Sequence, residues 1–162
     1  MTSNIRRAVV DEAGTIASLL QETALWILSK GIRQWNPEMF TTEYVEKLFA
    51  EREIYVAESD GEIIGLFTLQ WSDPSYWREL DNEESGYLHR LVVRRSAGGS
   101  GLGRRMLDWA EDYIRLQGKR WIRLDCMAEN TKLNEFYQSC GFTRMGITHF
   151  PDRSSILYEK QL

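Results

Sequence analysis

The stretch from Leu88 to Trp109, LHRLVVRRSAGGSGLGRRMLDW, constrains the fold more than any other part of the chain. An apolar run from Leu88 to Val93 reads as a strand. Two arginines follow, then glycines at 98, 99, 101 and 103. Apolar residues next recur at helical spacing: Leu102, Met106, Ala110, Tyr113 and Ile114. A glycine turn between a strand and a helix presents bare backbone N–H groups, and the helix N-terminus adds partial positive charge. Such a turn suits an anion, most often a phosphate. Each amide bonded to a charged oxygen is worth roughly 1.5–3 kcal/mol, so several can hold a diphosphate without a metal ion.

Spacing tests the familiar phosphate loops. A dinucleotide fingerprint needs glycines at i, i+2 and i+5; counted from Gly99, the third falls on Arg104. A P-loop needs Lys-Ser/Thr after its second glycine, but Arg104 and Arg105 follow Gly103, and neither can supply the hydroxyl that binds magnesium. A nucleotide-binding enzyme is therefore the weaker reading. A ligand-free turn stays open on these residues alone.

The run resembles the acyl-CoA-binding motif of the GNAT acetyltransferase superfamily, a strand ending in Val, then Gln/Arg-x-x-Gly-x-Gly/Ala opening a helix. Here Leu91-Val92-Val93 is the strand, and Gly101-Leu102-Gly103 supplies the glycines. The usual Gln or Arg falls on Gly98, leaving Arg94, Arg95, Arg104 or Arg105 to compensate. A second motif follows in the right order. The segment from Asn130 to Phe142 carries Phe136-Tyr137-Gln-Ser-Cys-Gly141-Phe142, with Asn130 seven residues before Tyr137, and is similar to the Asn…Phe-Tyr-x-x-x-Gly-Phe segment of the same superfamily.

The resemblance implies an N-acetyltransferase that uses acetyl-CoA as cosubstrate, without a metal. It implies direct transfer to a primary amine of a small molecule or peptide in a ternary complex. The cofactor-binding set it implies is the backbone of Leu91, Val92 and Val93, the turn Gly98, Gly99, Ser100, Gly101, Leu102, Gly103 and Arg104, and Asn130, Leu133 and Tyr137. Tyr137 falls where many members place a tyrosine at the thiol end of coenzyme A. A tyrosine with a pKa of about 10 stays protonated at pH 7 and can donate to a leaving thiolate whose thiol sits near 8.5. A core tyrosine and, for Asn130, a plain helix cap are the readings without a ligand. A GNAT-like acyl-CoA sensor without turnover is the alternative function.

A base is harder to name. A lysine-like amine gives up its proton at pH 7 at a cost of roughly 4.6 kcal/mol. His89 lies two residues from Leu91 and so shares its strand face; it is the candidate base, with Glu83 and Glu84 as rivals. On the acceptor side stand Gln34 and Trp35, in a loop from Lys30 to Pro37, together with Tyr87 and His89. Trp26 reads as core packing. Aromatics and acids between Trp71 and Glu84 suit a cationic amine, or a solvated loop. Cys126 has no nucleophile's neighbours in sequence and reads as packing.

At 162 residues and 43% hydrophobic, the chain is read as one domain, 1–162, with a true core. Net charge is −4, which argues against nucleic acid. No apolar run reaches the length of a membrane span, and two cysteines without a pattern fit a reduced, cytoplasmic setting. A homodimer through the C-terminal strands stays open. Patterning predicts strands at 5–10, 53–58, 62–70, 87–93, 120–127, 142–149 and 154–160, and helices at 11–29 (capped by Asp11), 41–51, 101–118 and 131–140, with a loop at 71–84. The expected fold is an α/β (α+β) arrangement: a mixed, mostly antiparallel central sheet flanked by helices. By the family resemblance, its fourth and fifth strands splay apart around coenzyme A.

Overall fold

A computed structural model describes residues 4–162. Seven strands, β1 (Asn4–Arg7), β2 (Glu53–Ser59), β3 (Glu62–Gln70), β4 (Ser85–Val93), β5 (Trp121–Met127), β6 (Thr143–His149) and β7 (Ser154–Gln161), form one sheet in the order β1-β2-β3-β4-β5-β7-β6. Helices α1 (Ala13–Ser29), α2 (Thr42–Glu51), α3 (Pro74–Trp77), α4 (Leu102–Leu116) and α5 (Thr131–Ser139) complete the α/β arrangement. Pairing is antiparallel for β1–β2, β2–β3, β5–β7 and β6–β7, and parallel for β4–β5. The parallel register covers only Ser85–Leu88 against Trp121–Leu124.

The chain groups into two compact units. One takes the residues up to Leu69 together with Arg90–Leu107; the other takes Gln70–His89 and Asp108–Leu162. In the first, α1 buries Ile16, Leu19 and Leu20 with Phe40, Val45, Ile54, Val56, Leu66 and Val92, the expected helical stripe packed on alternating strand residues. The β2–β3 hairpin turns at Asp60-Gly61, both at positive φ (52° and 78°), the geometry such a two-residue turn needs. In the second unit Trp77, Tyr87 and Leu157 pack together with Tyr76. The buried Arg123 lies over Trp77, its guanidinium carbon 4.2 Å from the ring centroid. It donates to Glu159 (2.8 Å), to the Leu80 carbonyl (2.6 Å) and to the Tyr87 hydroxyl (2.9 Å).

Four expectations need correction. The strand read from residue 5 to 10 stops at Arg7, and Val9 and Val10 are exposed. Asp11 does not cap α1. A 3-10 turn occupies Val10–Glu12, and Glu12 accepts from the Val9 N–H (2.9 Å) and from Arg6 (2.6 and 3.0 Å), so the ion pair sets the helix entry. The stretch 71–84 is not a plain loop: α3 opens with Pro74, whose missing N–H costs nothing at a first helical position, and a 3-10 turn covers Arg78–Leu80. Its anchor is Trp77, which is buried. Trp26 is not core but 37% exposed, with the Arg95 guanidinium 3.8 Å above its ring.

Gly65 shows how tightly the first unit is built. A Cβ there would lie 2.9 Å from the Val92 carbonyl oxygen and 3.0 Å from Met106 Cε. The backbone oxygen cannot swing aside. Gly65→Ala is expected to lower the unfolding free energy by about 1–3 kcal/mol with an unchanged m value in urea titration; a loss under 0.3 kcal/mol would contradict this packing.

Candidate active site

The first unit carries the glycine turn. β4 ends as the Arg94 N–H bonds the Ile64 carbonyl (2.7 Å), and a 3-10 turn at Arg95–Ala97 follows. The Gly98 N–H is taken by the Arg95 carbonyl (3.0 Å) and the Ser100 N–H by the Ala97 carbonyl (3.3 Å). Gly98 and Ser100 therefore offer no spare amide, which narrows the expected run. The N–H groups of Gly99 and Gly101 have no acceptor among the described residues, and those of Leu102 and Gly103 open α4, where a helix has none to offer. Gly99 and Gly101 sit at φ 77° and 80°, a region that only glycine enters cheaply. A Cβ on Gly99 would meet nothing within 4 Å, so the space above that residue is open. Arg105 bonds the Ser100 carbonyl (3.0 Å) and closes the turn from the helix side. Arg104 is exposed. Leu91 and Val93 are half-buried, while Val92 faces the core.

Proton-handling groups gather in the second unit. His89 Nε2 lies 2.8 Å from Asp73 Oδ2, and Nδ1 lies 3.4 Å from Asp125 Oδ1. Asp73 is buried, and all three side chains are largely shielded. A neutral imidazole has one N–H and cannot donate to both carboxylates. Asp73 is fixed by its neighbours. Its N–H donates to Asp81 Oδ1 (2.8 Å), and Ser72 donates to Asp81 Oδ2 (2.7 Å). Partial burial pushes the Asp81 carboxyl up, but these bonds outweigh it and hold the carboxyl below its ordinary range. Ligand atoms of Asp73, His89 and Asp125 lie within 4.8 Å of one another, the spacing of a metal site. The two carboxylates face opposite nitrogens of the ring.

Tyr137 lies buried on α5 with its ring against Phe136, Phe142 and Tyr158. Its hydroxyl has no hydrogen-bond partner among the described residues. Burial, then the charges at Cys126, Asp125 and Cys140, push its pKa far above that of a free tyrosine, so it carries its proton at any working pH. The Cys126 thiol is pushed up to about 12 by burial and by Asp125; it is no thiolate at neutral pH and packs as read from sequence.

Other sequence candidates fall less centrally. Asn130 caps α5, accepting from the Leu133 N–H (3.3 Å), and Leu133 is half-buried. Tyr87 is wholly buried, its hydroxyl bonded by Arg123 and the Asn82 N–H; it serves the framework, and no face of it is left for an acceptor. Glu83 and Glu84 are exposed, and Glu84 faces Arg120 at 3.7 Å. Gln34 and Trp35 are half-buried in the first unit, Trp35 edge-on to Phe40. Asp73, Asp125 and Arg90 escaped the sequence reading. For Asp125 a signal existed: a carboxylate inside an otherwise apolar strand, Trp121–Met127.

Comparison with known proteins agrees with this layout. The Acetyltransferase (GNAT) family profile matches residues 20–142. The chain is 35% identical to the uncharacterized N-acetyltransferase YesJ of Bacillus subtilis (strain 168), over 96% of this chain and 88% of that protein. A GNAT-family acetyltransferase from Listeria monocytogenes 4b F2365 superposes with a TM-score of 0.83 at 28% identity, over 99% of this chain and 95% of that one. The PaiA N-acetyltransferase of Thermoplasma acidophilum, solved with coenzyme A, shares the fold with a TM-score of 0.77 at 20% identity, over the full length of both chains. With its glycine turn, its order of strands and these likenesses along nearly its whole length, the chain belongs to the GNAT family of acetyltransferases.

Proposed function

We propose that the protein transfers the acetyl group of acetyl-CoA to a primary amine of a small molecule or peptide, by direct attack in a ternary complex. The observation that carries this reading is the set of unclaimed amides at Gly99, Gly101, Leu102 and Gly103, with open space above Gly99. They suit the diphosphate of coenzyme A, and the coenzyme bound to the PaiA protein of the same fold supports the choice. The backbone of Leu91, Val92 and Val93 runs along the acyl arm, and one of its N–H groups receives the oxyanion of the tetrahedral intermediate. Asn130 and Leu133 line the pantetheine.

Tyr137 is assigned as general acid. Its hydroxyl keeps its proton and has no competing acceptor, so it can donate to the departing thiolate. His89 is assigned as the base that receives the amine's proton, through water. Its ring nitrogens lie 2.8 Å from Asp73 and 3.4 Å from Asp125, which hold the ring in place for that role. No metal is needed for this scheme.

Three measurements test the roles. Tyr137→Phe is expected to lower kcat by about 10²–10⁴ with acetyl-CoA affinity held within about threefold; unchanged kcat removes Tyr137 from the reaction. Gly101→Val is expected to weaken acetyl-CoA binding at least about tenfold in a folded protein, since a branched side chain at positive φ closes the amide cradle; unchanged affinity overturns the cofactor assignment. Cys126→Ala is expected to retain acetyl transfer, and the folded protein to resist iodoacetamide at pH 8 because a thiol with a pKa of about 12 is not ionised there. A trapped acetyl-cysteine would replace direct attack with a two-step route. Tight acetyl-CoA binding without thiol release on any amine would instead favour an acyl-CoA sensor.

A further inference from the structure

Arg90 is spent on none of these roles, and its surroundings are unusual. It is a non-glycine residue at φ 57°, a conformation that costs energy and persists where the surroundings impose it. It stands two residues before the core residue Val92 on β4 and is half-buried. Its guanidinium carbon lies 5.1 Å from the Trp35 ring centroid and 5.2 Å from that of Phe40. One Nη donates to the Tyr44 hydroxyl at 2.8 Å. Trp35, Phe40 and Tyr44 brace one another edge-on, with centroids 5.7 and 5.5 Å apart.

What Arg90 lacks is a counter-ion. Several of the chain's other shielded arginines are paired with carboxylates: Arg6 with Glu12 and Glu58, Arg94 with Glu62, Arg123 with Glu159. Among the described residues no carboxylate meets Arg90, and its buried Nε has no hydrogen-bond partner. Aromatic faces compensate only part of the lost hydration of a cation. A guanidinium held in place, still rich in donors and without an anion, is a preorganised receptor for a planar oxyanion.

We infer that Arg90, braced by Trp35, Phe40 and Tyr44, recognises a carboxylate carried by the acetyl acceptor, so that the substrate is an amino acid or a short peptide with a free C-terminus rather than a polycation. The inference rests on the acetyl-transfer reading above. The phosphates of coenzyme A already have the glycine turn, whereas aromatic walls beside a guanidinium suit an organic acid.

The test is steady-state thiol release from acetyl-CoA with amino acids and dipeptides, each alongside its carboxamide, and with spermidine as a carboxylate-free amine. The best acid is expected to exceed its amide at least about tenfold in kcat/KM. Arg90→Gln is expected to cut the acid's kcat/KM about 10–100-fold, largely through its KM, while the amide and the KM for acetyl-CoA change less than about threefold. Arg90→Lys recovers part of the loss, and Tyr44→Phe gives a smaller loss of the same kind should Arg90→Gln fail to fold. Equal use of acid and amide, preference for spermidine, an equal fall for acid and amide in the variants, or a rise confined to the KM for acetyl-CoA would each overturn the inference. Turnover with no amine at all would remove the acetyl-transfer reading itself, and this inference with it.

Discussion

Hydrogen-bond accounting at one turn underlies the function proposed for this protein. Backbone N–H groups are strong donors, and folded chains leave few of them without acceptors. Between Arg94 and Arg105 the chain satisfies Gly98 and Ser100 internally and leaves the N–H groups of Gly99, Gly101 and the first residues of α4 without acceptors among the described residues. Positive φ at Gly99 and Gly101 makes this possible, because side chains there would strain the backbone. Water can solvate the donors, but a diphosphate satisfies them all at once and gains from the helix dipole.

The second unit holds a histidine between two carboxylates. Arg123 holds the connection before β4 through Leu80, Tyr87 and Trp77, and that connection brings Asp73 to His89. Asp125 faces the other nitrogen of the same ring and also acts on Tyr137. Burial holds the Tyr137 hydroxyl in its protonated form.

Much of this was legible in the residues. The strand–glycine–helix pattern placed the turn, and the alternation in β2 and β3 with Asp60-Gly61 between them placed the hairpin. His89 and Tyr137 could be singled out from motif and register. Their partners could not, because a contact between residues 73, 89 and 125 depends on tertiary pairing that no local period encodes. The short helix at Pro74–Trp77 was missed because four residues carry no periodicity and its anchor, Trp77, reads equally well as a loop aromatic. Trp26 misled for a related reason: its helical position looked apolar, but Arg95 provides an exposed ring with a cationic partner. Arg90 was hidden because a positive φ in mid-strand leaves no mark in composition.

Amide-resolved NMR reads the central claim directly. On saturation with coenzyme A, the Gly99, Gly101, Leu102 and Gly103 amide protons are expected to shift downfield and to become protected from exchange with solvent. Those of Gly98 and Ser100, already bonded within the chain, should move little. Amides at 99, 101, 102 and 103 that keep their free exchange rates in the saturated complex would contradict the account.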